Sequence, residues 1–154
     1  MISIIVPVYN EEDNIFKLSE YILKALKDES YEVIFINDGS TDSSEDKLIQ
    51  ITNNHSSFKL ISLRRNYGQT AAIQAGFDNA VGNIIIPMDG DLQNDPRDIP
   101  LLVNKIEEGY DVVSGWRKNR LDKKMTRIIP SKIANMIISK ISGIHLHDYG
   151  CTLK

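Results

Sequence analysis

Cysteine is almost missing from this chain: Cys151 is the only one in 154 residues. An internal disulfide framework is therefore excluded, no Cys pair exists for a zinc site, and a lone thiol fits a reducing compartment. No apolar run approaches the ~20 residues needed to cross a membrane as a helix. The N-terminal Met-Ile-Ser-Ile-Ile-Val-Pro is too short an apolar run for a secretory leader and reads as a first strand. Neither Gly-x-Gly-x-x-Gly nor a P-loop is present, which argues against the usual phosphate-cradling turns of nucleotide folds. There is no internal repeat and no low-complexity segment. Excess charge is also lacking, at -3 overall, but its distribution is uneven. Residues 117–127 hold six Lys or Arg and one acid, which leaves about -8 on the remainder. A basic patch on an acidic body points to a phosphate-bearing or anionic-surface partner and away from nucleic acid.

What is present is an alternation of apolar strands and amphipathic helices. Strands are expected over residues 2–8, 32–37, 58–63, 84–88 and 111–116. Helices are expected between them. The first is capped by Asn10 and carries Ile15, Leu18, Ile22 and Leu26. The second carries Leu48 and Ile51. The third spans residues 68–81. The fourth is opened by Asp95-Pro96, carries Leu101, Leu102 and Ile106, and is closed by Gly109. Short connections between alternating elements predict an α/β fold with a doubly wound, mostly parallel sheet and helices on both faces. The run Ile84-Ile-Ile-Pro-Met88, apolar on both faces, reads as a central strand. After Trp116 the pattern changes to a basic loop, an amphipathic helix over residues 130–141 and an alternating segment at 144–148. One domain is expected, with residues 1–115 as one half and 116–154 as the other.

Open parallel sheets place ligands beyond the C-terminal ends of their strands. Here strands one, two and four end in Tyr9, Asn10 and Glu11, in Asp38, and in Asp89 and Asp91. Each alone is ordinary turn or helix-start chemistry; three such ends on one crevice are a stronger signal. Asp89 and Asp91 are hard oxygen donors flanking Gly90, whose lack of a side chain permits a tight turn or a close approach. That pair suits Mg²⁺ or Mn²⁺ carrying a phosphorylated ligand. Asp38 could accept hydrogen bonds from a base or ribose. His145 and His147 share one side of a strand and are a weaker metal candidate.

The motifs Val6-Pro-Val-Tyr-Asn-Glu-Glu12, Asn37-Asp-Gly-Ser-Thr-Asp42, Arg65-Asn-Tyr-Gly-Gln69, Asp89-Gly-Asp-Leu-Gln93 and Gly115-Trp-Arg117, in this order, resemble the family 2 glycosyltransferases of GT-A fold. With the closing Asp148-Tyr-Gly-Cys-Thr-Leu-Lys154, they are most similar to the branch that makes polyprenyl-phosphate sugars, of the dolichol-phosphate mannose synthase and bactoprenol glucosyltransferase kind. The resemblance covers essentially the whole chain. It implies a nucleotide-sugar pocket lined by Pro7, Tyr9, Glu11, Ile36, Asp38, Asp89 and Gly90, with Asp38 near the base. It implies a divalent ion held in the DxD element, by Asp91 and Gln93 foremost and with Asp89 beside them. Arg117, Arg127 and Ser131 match positions that hold the acceptor's phosphate. Asp91, Arg117 and Asp148 would then carry the chemistry. The branch usually continues with further amphipathic or membrane helices, so a C-terminal truncation is expected here.

The activity so implied is inverting, metal-dependent transfer of a sugar from a UDP- or GDP-sugar to a dolichyl or undecaprenyl phosphate. It would take place at the cytosolic membrane face through peripheral contact, without nucleic acid. Two alternatives stay open. One is the same donor site serving a glycan or protein hydroxyl, with Asp148 as base. The other is a non-catalytic nucleotide-sugar-binding module. A nucleotidyltransferase would carry a Gly-rich, Lys/Arg-bearing first loop, which residues 7–12 do not supply.

Overall fold

The computed structural model describes residues 1–115 and Leu153. Four strands, β1 (Ile2–Val8), β2 (Tyr31–Asn37), β3 (Phe58–Ser62) and β4 (Ile84–Pro87), alternate with helices α1 (Ile15–Ala25), α2 (Ser44–Asn54) and α3 (Gln69–Asn79). A single 3-10 turn, Pro96–Asp98, then leads into α4 (Ile99–Glu107). The sheet order is β3-β2-β1-β4, and every pairing is parallel. The chain steps outward from β1 to β3 and then crosses back through α3 to the other side of β1. The order therefore reverses between β1 and β4, the position where open α/β sheets leave a crevice.

Alternation along β1 explains the two layers. Ile4, Val6 and Val8 join Ile15, Leu18, Ile22, Leu48, Ile99 and Val103 in one core, so α1, α2 and α4 share that face. Ile5 points the other way and packs with Ile34, Ile36 and Ala72 under α3. α3 comes close because residue 76 is Gly: a Cβ there would run into Ile5. Phe35 and Phe58 meet edge to face, 5.7 Å between centroids, and tie β2 to β3. Each Ile or Leu buried in this way contributes about 1.5–3 kcal/mol of transfer free energy.

Pro7 lies inside the central strand without breaking it. On the β4 side of β1 the Ile5 carbonyl accepts from Met88 N–H at 3.0 Å, while the β4 ladder ends with Pro87 opposite Ile5. Pro7, two residues on and facing the same way, is past that ladder, so its missing N–H leaves no gap.

Four expectations change. First, β4 is the edge strand among the described residues, with Ile85 exposed; β1 and β2 are the central pair. Second, Asn10 does not cap α1. The helix begins at Ile15, and Asn10 adopts a left-handed φ of 55° because its Oδ1 accepts from Thr41 N–H at 2.8 Å. Third, α4 buries Ile99 and Val103, keeps Leu102 and Ile106 partly buried and turns Leu101 to solvent, because helical spacing from Ile99 puts residues 102, 103 and 106 on its face and 101 off it. Fourth, residues 111–115 form no strand among the described residues; Gly115 N–H donates to the Leu153 carbonyl at 3.0 Å. Of the two uses open to Gly90, the backbone shows close approach: a Cβ there would sit 3.3 Å from the Pro7 carbonyl, while the left-handed residue after β4 is Leu92 (φ 63°).

Candidate active site

The C-terminal edge of the sheet is assembled by loops that fasten to one another. The segment after β1 and the segment after β2 are joined by reciprocal bonds. Asn10 N–H donates to Ser40 Oγ at 3.1 Å, Glu11 N–H to Ser44 Oγ at 3.0 Å, and Glu12 N–H to Asp42 Oδ2 at 3.2 Å. Ser43 N–H returns a bond to Glu12 Oε2 at 3.1 Å. Asn37 Oδ1 closes the second loop on itself by accepting from Ser40 N–H at 3.0 Å. The Asn-Asp-Gly-Ser-Thr-Asp stretch is thus largely a fastening element. Burial pushes the Asp42 carboxyl up, but bonds from Ser44 and Glu12 outweigh it and hold that group below the usual carboxylate range.

Behind this fastening lies a cleft of about 380 Å³, lined by Pro7, Val8, Tyr9, Glu11, Asp38, Asn66, Gly68, Gln69, Asp89, Gly90 and Asp91. The ends of β1, β2 and β4 therefore meet in one place, together with the loop before α3. Among the described residues the lining holds four carboxylates and no Lys or Arg. Their bonding differs sharply. Asp38 is buried and accepts backbone N–H groups from Tyr67 at 2.8 Å and Gly68 at 2.9 Å, one on each oxygen. Asp89 is half-buried and accepts from the Gln69 side-chain amide at 2.7 Å through Oδ1 alone. Asp91, also half-buried, accepts from Gln93 N–H at 3.0 Å through Oδ1 alone. Glu11 accepts from Asn14 Nδ2 at 2.6 Å through Oε2. One oxygen of each of the last three has no protein hydrogen bond among the described residues.

The donor set fits a hard divalent cation. Among the described residues no three His, Cys, Asp or Glu side chains form a complete metal cluster. An incomplete oxygen set is what Mg²⁺ or Mn²⁺ uses when a diphosphate and water supply the other positions. An anion brought up to these carboxylates is helped by such an ion, which offsets their repulsion.

Of the residues expected at the site, Pro7, Tyr9, Glu11, Asp38, Asp89, Gly90 and Asp91 line this cleft. Ile36 does not: it is fully buried between Ile5 and Ala72, because it alternates onto the α3 face of β2. The Gln93 side chain is exposed and outside the lining; its backbone, not its amide, meets Asp91. Arg117, Arg127, Ser131, His145, His147 and Asp148 lie outside the described residues. Asn66, Gly68 and Gln69 were missed as lining. The rule that selects Asp38 selects them too, since they follow the C-terminal end of β3 and belong to the motif Arg65-Asn-Tyr-Gly-Gln69.

This architecture is that of the GT-A glycosyltransferases. The chain superposes over 99% of its length on glucosyl-3-phosphoglycerate synthase from Mycobacterium tuberculosis, with a TM-score of 0.74, 19% identity and 55% of that chain covered. Another crystal structure of that synthase, with Mn²⁺, UDP and glucosyl-3-phosphoglycerate bound, gives 0.67 at 21% identity, over 93% of this chain and 50% of that one. The sequence narrows the class. The family described as glycosyl transferase family 2 matches residues 3–152, and the chain belongs to it. Dodecaprenyl-phosphate galacturonate synthase of Rhizobium johnstonii is 45% identical over 99% of this chain and 46% of that protein. Undecaprenyl-phosphate 4-deoxy-4-formamido-L-arabinose transferase of Proteus mirabilis is 44% identical over 99% and 48%. The chain spans about half the length of these relatives. The motif resemblance therefore holds, down to the polyprenyl-phosphate branch among the relatives.

Proposed function

We propose that this chain forms the donor site and part of the acceptor site of a metal-dependent, inverting transferase. The enzyme moves a sugar from a UDP- or GDP-sugar to a polyprenyl phosphate at the cytosolic membrane face. The observation that carries this reading is the cleft at the β1/β4 reversal, where Glu11, Asp89 and Asp91 converge and each has one oxygen without a hydrogen bond among the described residues. The 44–45% identity to two polyprenyl-phosphate sugar transferases supports the acceptor class.

In this reading residues 1–115 hold the nucleotide and residues 116–154 meet the acceptor. Asp89 and Asp91 hold Mg²⁺ or Mn²⁺, which when bound neutralises the diphosphate that leaves. Tyr9, half-exposed at the mouth, offers its ring face to the base. Arg117, Arg127 and Ser131 grip the lipid phosphate; Arg suits this because its planar fork bonds two oxygens at once. A phosphate oxygen, already anionic, attacks the anomeric carbon from the side opposite the leaving group, and the nucleoside diphosphate departs with its bonding pair. No strong general base is required, so the protein's contribution is positioning and charge compensation. Among the described residues no helix is long and apolar enough to cross a membrane; the lipid acceptor brings this part of the protein into peripheral contact with the membrane face.

A thermal-shift panel tests the donor site, since a ligand stabilises in proportion to the logarithm of its excess over Kd. UDP or GDP with Mn²⁺ or Mg²⁺ is expected to raise Tm, and EDTA to abolish the shift. No shift with any nucleotide would overturn the proposal. Asp148→Asn is expected to spare transfer to a polyprenyl phosphate; wild-type transfer to a glycan or protein hydroxyl that this variant abolishes would favour a hydroxyl acceptor instead.

A further inference from the structure

The loop between β3 and α3 is unusually well held for a surface segment. Asp38, only 3% exposed, accepts one backbone N–H on each carboxylate oxygen, from Tyr67 and Gly68. Its neighbour Gly39, at φ +67°, has no side chain where the backbone of Arg65 and Asn66 passes; a Cβ there would collide with it. Together these fix Gly68 at φ +91° and start α3 at Gln69. From that first helical position the Gln69 amide reaches across the cleft to Asp89 Oδ1 at 2.7 Å. A chain of bonds thus runs from the end of β2 to the end of β4: Asp38, the Tyr67–Gly68 backbone, Gln69 and Asp89.

We propose that Asp38 and Gln69 are positioning residues that orient the Asp89 carboxylate for the metal-bound donor. The inference rests on the donor-site reading above. Asp38 acts through the loop it clamps, which is why it is buried and its oxygens already engaged. Gln69 acts directly: its N–H fixes one Asp89 oxygen and leaves the other facing the cleft. A second carboxylate or a lysine in place of Gln69 would either repel Asp89 or pair with it and compete with the ion. A neutral donor does neither. Partners of this outer kind are worth on the order of 10- to 100-fold in metal affinity.

Two measurements on the full chain decide this. In ligand-free protein, NMR is expected to show the Gln69 side-chain amide protons shifted and protected from exchange. Asp89→Ala and Asp38→Asn should return them to solvent-like behaviour. Calorimetry then compares wild type with Gln69→Met, which keeps the shape and removes the donor. Affinity for Mn²⁺-UDP or Mn²⁺-GDP is expected to fall about tenfold. Tm without ligand should not change, because the Gln69 side chain is solvent-exposed. A purely structural role would lower Tm together with affinity. If Asp38→Asn does not fold, the Gln69 variant still decides. An amide that is solvent-like in wild type, or Mn²⁺-nucleotide affinity unchanged in Gln69→Met, overturns the inference while leaving the donor site standing. A wild-type chain that binds neither nucleotide overturns both.

Discussion

The sheet carries acids at both of its ends, and the two ends use them in opposite ways. At the N-terminal edge Glu32 is 4% exposed and committed to the protein. Its Oε1 accepts from Ser3 Oγ at 2.5 Å and from Val81 N–H at 2.8 Å, and Ser3 Oγ in turn accepts from Gly82 N–H at 2.8 Å. Its Oε2 has no aligned hydrogen-bond donor among the described residues, and its partner is the Lys59 ammonium 2.7 Å away, a contact of charge more than of direction. At the C-terminal edge Asp89 and Asp91 are half-buried and each uses one oxygen. The first arrangement is a closed account of donors and acceptors; the second is open. A carboxylate with all its capacity taken up holds the fold, and one with capacity left over in a cleft holds a ligand. Asp38 belongs to the first kind although it stands at the second place.

The sharpest test of this contrast is to remove one acid from each end. Asp91→Ala is expected to weaken Mn²⁺-dependent nucleotide binding by roughly a hundredfold, since a divalent ion bound through only one or two carboxylates loses much of its protein coordination. Tm in the absence of nucleotide should stay within a degree or two, because Asp91 lends the fold only a bond to its own turn. A large loss of Tm without ligand would erase the distinction between the two ends. Calorimetry beside differential scanning reads both quantities on the same sample.

Glu32→Ala should give the mirror image. It strands Ser3 Oγ, Val81 N–H and the Lys59 ammonium, and unpaired buried polar groups cost about 1–3 kcal/mol each when water cannot reach them. With Lys59 half-exposed, a net loss of about 2–3 kcal/mol is expected from urea unfolding. Nucleotide affinity of the folded fraction should not change. Gly76→Ala belongs to the same group. It crowds Ile5 beneath α3 and is expected to cost about 1–3 kcal/mol with the cleft intact.

This difference between the two edges also marks what could be read in advance. The parallel fold was legible because strand and helix alternate and β1, β2 and β4 each run into polar residues; the C-terminal edge rule then collected Tyr9, Glu11, Asp38, Asp89 and Asp91 into one cleft. The bonding state of those acids was not legible. Nothing in the sequence distinguishes Asp38, clamped by two backbone N–H groups, from Asp89, which is not, because the partners come from a loop some 30 positions away. Ile36 was misplaced for a related reason. Motif proximity to Asp38 suggests the pocket, whereas strand alternation sends its side chain under α3. β4 reads as central because Ile84, Ile85 and Ile86 are apolar, yet among the described residues it pairs on one side only, and composition alone does not reveal strand order.

The smallest expected effect is the pH dependence of the closed end. Burial pushes the Glu32 carboxyl up, but the Lys59 ammonium, Ser3 Oγ and Val81 N–H together outweigh it and hold the group below the usual carboxylate range. Its folded pKa lies below the unfolded value of about 4.3. The ionised form therefore lends stability that is fully present above the unfolded value and is lost as pH falls through the folded one. Lys59 supplies part of that depression, and it is half-exposed, so solvent screens its share. Lys59→Met is expected to cost about 0.5–1 kcal/mol near neutrality, at the upper end of what exposed pairs contribute because the acid itself is buried. Below the folded pKa of Glu32 the variant and the wild type should converge, since a protonated Glu32 has no charge for Lys59 to pair with. Urea midpoints taken as pH is lowered from 7 through the acid limb check this: the gap should narrow as Glu32 takes up its proton. If Lys59→Met costs the same in a Glu32→Gln background, where no charge is left to pair with, Lys59 acts through the packing of its aliphatic stem, and the closed end is held by shape more than by charge.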